Sequence, residues 1–135
     1  MVEPERKPRV VIADDDEAYA ASLARMLEAD GRVEVIGIAS NGEEAVQLAL
    51  WHDPDIVLMD AIMPGIDGVE ATRVVRESRP RLCILMVSGE ESEELRDRAR
   101  EAGAAGLLHK ARIPDELVDR ILDLSSARGT RSHGD

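Results

Sequence analysis

Ile56-Val57-Leu58-Met59-Asp60, followed at once by Ala61-Ile62-Met63-Pro64-Gly65-Ile66-Asp67-Gly68, decides how this chain folds and where its chemistry lies. An unbroken apolar run of strand-forming residues predicts a strand buried on both faces. The run delivers the Asp60 carboxylate to the point where Pro64, Gly65 and Gly68 break the chain into a loop. A carboxylate at that rim is fixed in direction and partly desolvated. Such a place suits a nucleophile or a metal ligand better than a solvating surface charge.

Four more apolar runs accompany this one, at Arg9–Ala13, Arg32–Ala39, Leu82–Val87 and Gly106–His109, with the central run spanning Asp55–Met59. Between and after them the apolar residues change to helical spacing: Tyr19, Leu23, Met26 and Leu27; Val46, Ala49 and Leu50; Val69, Thr72 and Val75; Leu95, Ala99 and Ala102; Leu117, Val118, Ile121 and Leu122. The punctuation agrees. Asn41 with Glu44 forms a capping-box pattern, and Pro114-Asp115-Glu116 suits a first helical turn. Gly31 and Gly103 suit helix C-termini, and Pro80 stops the third helix. Strict strand–helix alternation predicts a parallel sheet with right-handed crossovers and helices on both faces. The fold class is α/β, a flavodoxin-like (βα)5 three-layer sandwich, with strand order 2-1-3-4-5. The expected division is an N-terminal extension at 1–8, one domain at 9–124 and a flexible Ser/Gly/Arg-rich tail at 125–135.

The bulk properties narrow the function. A chain of 135 residues suits a single domain with its own core. Its net charge of -11, from 28 acidic and 17 basic residues, repels phosphate backbones, so direct nucleic-acid binding by this chain is not expected. No apolar stretch approaches a membrane span, and the charged, Pro-containing segment Met1–Arg9 lacks the apolar centre of a signal peptide. The single Cys83 lies in Leu82-Cys83-Ile84-Leu85-Met86-Val87 and reads as a buried thiol in a reducing compartment, so the expected location is cytoplasmic.

Functional groups of a doubly wound sheet collect at the C-terminal ends of its strands. Asp14 and Asp15 follow the first run, Asp60 the third, Ser88 the fourth and Lys110 the fifth; Ser40-Asn41 after the second read as cap residues. Each has an ordinary reading alone. Asp14, Asp15 and Asp16 suit the N-terminus of a helix, Ser88-Gly89 a turn, and Lys110 a surface position. Together they ring one pocket in the expected strand order. Three carboxylates in one pocket repel and raise one another's pKa unless a cation joins them, and a hard divalent ion with oxygen ligands, Mg²⁺ above all, answers that need. Lys110, Ser88 and the loop amides after Asp60 complement a phosphoryl group, and a carboxylate can accept one covalently.

From Arg9 to about Leu124 the chain resembles the receiver domain of two-component response regulators. Val10-Val11-Ile12-Ala13-Asp14-Asp15-Asp16 resembles the acidic-pair strand, and Asp60 with Met63-Pro64-Gly65 and Asp67-Gly68 the phosphoacceptor strand and loop. Met86-Val87-Ser88-Gly89 carries the Ser/Thr position, and Gly103 to Lys110 the lysine strand. The likeness is closest to receivers that precede helix-turn-helix output domains. It implies that Asp60 takes a phosphoryl group from a sensor histidine kinase or phosphotransfer protein. It further implies that Asp15, Asp60 and the Ile62 backbone carbonyl ligate Mg²⁺, with Asp14 acting through water or at longer range and Mn²⁺ able to substitute. Lys110 would pair with the phosphate and Ser88 would hydrogen-bond it. The resemblance also implies self-catalysed transfer and slow autodephosphorylation, with Ile62 and Glu90 at lifetime-tuning positions. The signal would pass to a protein target or output domain over the fourth helix, fifth strand and fifth helix, and a homodimer is open.

Two positions depart from the family. The switch aromatic falls on Leu107 in a chain with no Phe at all, so an aromatic rotamer cannot couple to Ser88. Lys110 is followed by Ala111 rather than the usual Pro, and a non-proline cis bond costs roughly 3–4 kcal/mol, so a trans peptide is expected. Two other readings follow from the same residues. One is a degenerate receiver acting as a phosphorylation-independent scaffold, which Leu107 favours and the intact polar set opposes. The other is a small Mg²⁺-dependent aspartyl-phosphate phosphatase of the haloacid dehalogenase type. It is disfavoured because its nucleophile belongs after the first strand and its cap insertion has no room here.

Overall fold

The computed structural model describes residues 6–134, with side chains described through Ser126. Residues 1–5 of the expected N-terminal extension and Asp135 of the expected tail lie outside the described residues. The chain runs β1 Arg9–Ala13, α1 Glu17–Asp30, β2 Glu34–Ala39, α2 Gly42–His52, β3 Ile56–Asp60, α3 Gly68–Ser78, β4 Cys83–Ser88, α4 Glu93–Ala102, β5 Gly106–His109, a 3-10 turn Lys110–Arg112, and α5 Ile113–Gly134. The five strands pair in parallel in the order β2-β1-β3-β4-β5.

The two-residue period of the strands divides their side chains between two helical layers. Val10, Ile12, Ile56, Leu58, Leu85, Val87 and Leu108 pack with Ala20, Leu23 and Leu27 of α1 and Ile113, Leu117 and Ile121 of α5. Val11, Ala13, Val57, Met59 and Ile84 pack with Ala45 and Ala49 of α2 and Ala71 and Val75 of α3. Both faces of β3 are thereby covered, and all five of its residues are buried. That is the physical basis of its continuous apolarity.

Helix caps fix the loops at the strand ends. Asp16, Asn41, Asp67 and Ser92 each accept the N–H three residues on, from Tyr19, Glu44, Glu70 and Leu95. The Glu44 carboxylate accepts from Ser40 N–H and Oγ at 2.7 and 2.8 Å, so the return bond of the capping box lands one residue before the cap. Gly31 and Gly103 close α1 and α4 in the left-handed region. Gly68 has a different role. A Cβ there would lie 2.0 Å from the Asp60 carbonyl oxygen, so only glycine lets α3 start against the end of β3.

Several boundaries depart from the sequence reading. β3 and β4 end on Asp60 and Ser88 themselves, because the ladder continues one residue further, with Asp60 opposite Val87 and Ser88 opposite His109. β2 starts at Glu34 rather than Arg32, since Arg32 N–H is tied back to Asp30 after the left-handed Gly31. Cys83 is half-buried rather than buried, because it opens β4 at the edge of the α1/α5 layer. The backbone of α5 stays helical to Gly134 instead of stopping near Leu124. Extending an anchored helix needs no new nucleus, which outweighs the weak propensity of Ser and Gly. The Lys110–Ala111 peptide is trans, as expected. Trp51, on the last turn of α2, is 85% exposed.

Candidate metal and phosphoryl site

The C-terminal ends of β1, β3 and β5 bring their polar residues to one point. Asp14 is 2% exposed, and its N–H reaches across to the Ala39 carbonyl at 3.0 Å. Its Oδ1 accepts the Asp16 N–H at 2.9 Å and its Oδ2 accepts from Lys110 Nζ at 2.9 Å. Asp60 is 7% exposed. Its Oδ2 lies 3.5 Å from Lys110 Nζ, and its Oδ1 accepts a long bond, 3.4 Å, from Ile62 N–H. Asp15 points to solvent, yet one carboxylate oxygen from each of Asp14, Asp15 and Asp60 lies within 4.8 Å of the others.

The charges explain the protonation. Burial, then the nearby Asp14 charge, pushes the Asp60 carboxyl up to about 6, against the pull of Lys110 and Ile62 N–H. For Lys110, burial lowers the pKa, but the Asp14 hydrogen bond and the Asp60 and Asp14 charges outweigh it and leave it raised. One ammonium does not balance three carboxylates. An all-oxygen donor set with surplus negative charge fits a hard divalent cation such as Mg²⁺ or Mn²⁺. Without metal, Asp60 binds more protons folded than unfolded. Its contribution to stability is full below about pH 3.8 and is lost as the pH rises through about 6. Urea titrations across that window in chelator are expected to show a loss on the order of 1–2 kcal/mol, allowing for solvent screening.

Ser88 sits one position beyond Val87, the ladder partner of Asp60, and Leu107 lies on the neighbouring strand β5. Ser88 is 1% exposed, and its Oγ accepts the Glu90 N–H at 3.0 Å. Leu107, opposite Met86, is buried among Ala61, Val69, Met86, Leu95, Ala99 and Ala102 beneath α4. An aliphatic side chain there fills the space but offers no aromatic ring to couple to the Ser88 hydroxyl. The Ile62 side chain is 63% exposed at the mouth.

Sequence reasoning missed Tyr19, taking it as a helix-spacing core residue. Its ring carries Lys110 Nζ 4.5 Å from the centroid. The available signal was its place in the first turn of α1, directly after the acidic run, which faces the strand ends.

Known proteins share the sequence pattern and the fold. The response regulator receiver domain family matches residues 10–122. Response regulator UvrY of Escherichia coli K12 is 39% identical over 119 residues, 88% of this chain and 55% of that protein. The probable transcriptional regulatory protein NarL of Mycobacterium tuberculosis is 35% identical over 122 residues, 90% of this chain and 56% of that protein. The chain therefore spans about half the length of these curated relatives. The solved receiver domain of the putative response regulator NarL from Mycobacterium tuberculosis superposes with a TM-score of 0.84 at 34% identity, covering 90% of this chain and 98% of that one. Among the described residues no helix is long and apolar enough to cross a membrane. With the fold, the acidic pocket and the family match in agreement over nearly its whole length, the chain belongs to the response regulator receiver domains of two-component systems.

Proposed function

We propose that Asp60 accepts a phosphoryl group from a phosphohistidine of a sensor kinase or phosphotransfer protein, and that residues 9–124 act as the phosphorylation-switched unit. The observation that carries this reading is Lys110 Nζ held between Asp14 Oδ2 at 2.9 Å and Asp60 Oδ2 at 3.5 Å beside the three-carboxylate cluster. In the reaction an Asp60 oxygen attacks phosphorus, the phosphorus–nitrogen bond breaks, and the imidazole leaves with the electron pair. Asp14, Asp15, Asp60 and the Ile62 carbonyl would hold the Mg²⁺ or Mn²⁺. Bound there, the cation supplies charge neutralisation for the carboxylates and the transferring oxygens.

The protein's own groups do the rest. Asp14, anchored through Asp16, keeps the acidic pair in place. Lys110 moves from Asp60 Oδ2 to a phosphoryl oxygen as the carboxylate becomes an acyl phosphate. Ser88, one ladder position beyond the level of Asp60 on the neighbouring strand, exchanges its turn contact for the phosphoryl group. Slow hydrolysis of the acyl phosphate resets the site. The signal leaves over the α4–β5–α5 face, to a cytoplasmic protein partner, a second copy or an output domain. The greater length of the transcription-regulating relatives supports the last of these.

The test is incubation with acetyl phosphate and Mg²⁺, followed by intact mass. One phosphoryl per chain is expected, and none in chelator. Absence of any adduct in Mg²⁺ would support the scaffold reading, to which the buried, non-aromatic Leu107 already lends weight.

A further inference from the structure

Among the described residues Lys110 Nζ lies against Asp14 Oδ2 at 2.9 Å, Asp60 Oδ2 at 3.5 Å, and the face of the Tyr19 ring at 4.5 Å. The first two are carboxylates that the phosphoacceptor reading commits to other partners. Once Asp60 carries a phosphoryl group and Asp14 serves a cation, both weaken as anchors for the ammonium. The ring does not change. It attracts the ammonium through its quadrupole, takes up no N–H bond and leaves the positive charge undiminished.

The backbone that carries the ring is anchored. Tyr19 N–H donates to Asp16 Oδ1 at 3.0 Å, and Asp16 N–H donates to Asp14 Oδ1 at 2.9 Å. The ring also packs against the α1/α5 core layer. One short segment therefore carries a carboxylate, a helix cap and an aromatic floor in a set relation to Lys110. We infer that Tyr19 is a positioning residue that holds the Lys110 ammonium ready for the phosphoryl group; the inference rests on the phosphoacceptor reading above.

Tyr19 is the only tyrosine in the chain, so ring-labelled tyrosine gives one reporter inside the site. In the metal-free protein Lys110→Met should shift its ring resonances, and an unchanged spectrum overturns the contact. The second measurement uses Mg²⁺ with beryllofluoride, a phosphoryl mimic followed by fluorine NMR. Tyr19→Leu should weaken beryllofluoride binding by about 2- to 10-fold. Tyr19→Phe, which keeps the ring face, should recover it, and on a Lys110→Met background Tyr19→Leu should have no further effect. Urea midpoints of each variant separate loss of binding from loss of folding. Binding by Tyr19→Leu equal to wild type overturns the inference. So does a Phe variant as weak as Leu, or a Leu effect that persists without Lys110. If the wild-type protein binds no beryllofluoride and takes no phosphoryl from acetyl phosphate, the phosphoacceptor reading fails and the positioning role falls with it. If it does both while Tyr19→Leu changes nothing, only the inference about Tyr19 fails.

Discussion

Asp60→Asn is expected to end phosphoryl uptake from acetyl phosphate while making the metal-free protein more stable at neutral pH. The two effects have one origin. An amide offers no anionic oxygen to attack phosphorus, so no intact-mass adduct should form, even over long incubation. The same change removes a charge that burial and Asp14 disfavour, as the carboxyl's displacement to about 6 shows. The Asn oxygen can accept from Lys110 Nζ or from Ile62 N–H but not from both; these contacts are long in the wild type, at 3.5 and 3.4 Å, so the acceptor lost offsets only part of the gain. At pH 7.5 in chelator the variant should exceed wild type by on the order of 1–2 kcal/mol, and the gap should close as the pH falls through 6 towards 4. Urea unfolding at several pH values checks the sign. An adduct that survives the substitution would move the acceptor to another carboxylate, and equal stabilities at neutral pH would show that Lys110 already neutralises Asp60.

Gly68→Ala is expected to cost about 3 kcal/mol, which is high for the addition of one methyl group. The new Cβ would meet the Asp60 carbonyl oxygen at 2.0 Å, its carbon at 2.9 Å and Ala61 Cα at 3.0 Å. All three are backbone atoms of the residues that carry the site, so no side chain can swing aside. Relief requires α3 to retreat, which breaks the 2.9 Å bond from Gly68 N–H to the Ala61 carbonyl. The turn after Asp60 then loses its anchor, and phosphoryl uptake should fall along with stability. Gly89→Ala is the matched control, since a Cβ there meets nothing within 4 Å, and its effect should stay within about 0.5 kcal/mol. Urea midpoints of the two variants make the comparison, and a Gly68→Ala protein as stable as the control would refute the close approach.

The layers and strand order were legible because each signal came from a local rule. Continuous apolarity in Ile56–Met59 marks a strand covered on both sides, and three- and four-residue spacing marks each helix. Asp14, Asp15, Asp60 and Lys110 could be placed together because strand order alone brings the ends of β1, β3 and β5 together. What escaped depends on side-chain direction. Tyr19 fits the helical pattern whether it faces the core or the lysine. Glu44 fits the capping box whether it returns to Asn41 or, as observed, to Ser40. Cys83 sits in an apolar run but at its first strand position, where cover is incomplete. Continuation of α5 beyond Leu124 leaves no apolar trace in the sequence, because backbone hydrogen bonds can extend a helix without an apolar stripe to mark it.

The thin attachment of α4 has a thermodynamic consequence. Its buried residues are Leu95, Ala99 and Ala102, only one of them large, whereas α5 sets Ile113, Leu117 and Ile121 into the core. Its ion pair to the N-cap of α3, Arg98 to Asp67 at 3.7 Å, is exposed and adds little. Burial of one leucine and two alanines amounts to roughly 3–4 kcal/mol at most, well below the free energy of unfolding a whole domain. Detaching α4 from the sheet therefore requires less work than detaching α5, and a local equilibrium of that kind can leave the remaining layers folded. A chemical event at Asp60 worth a few kcal/mol is of the right size to tilt that local equilibrium, and too small to disturb the rest of the molecule.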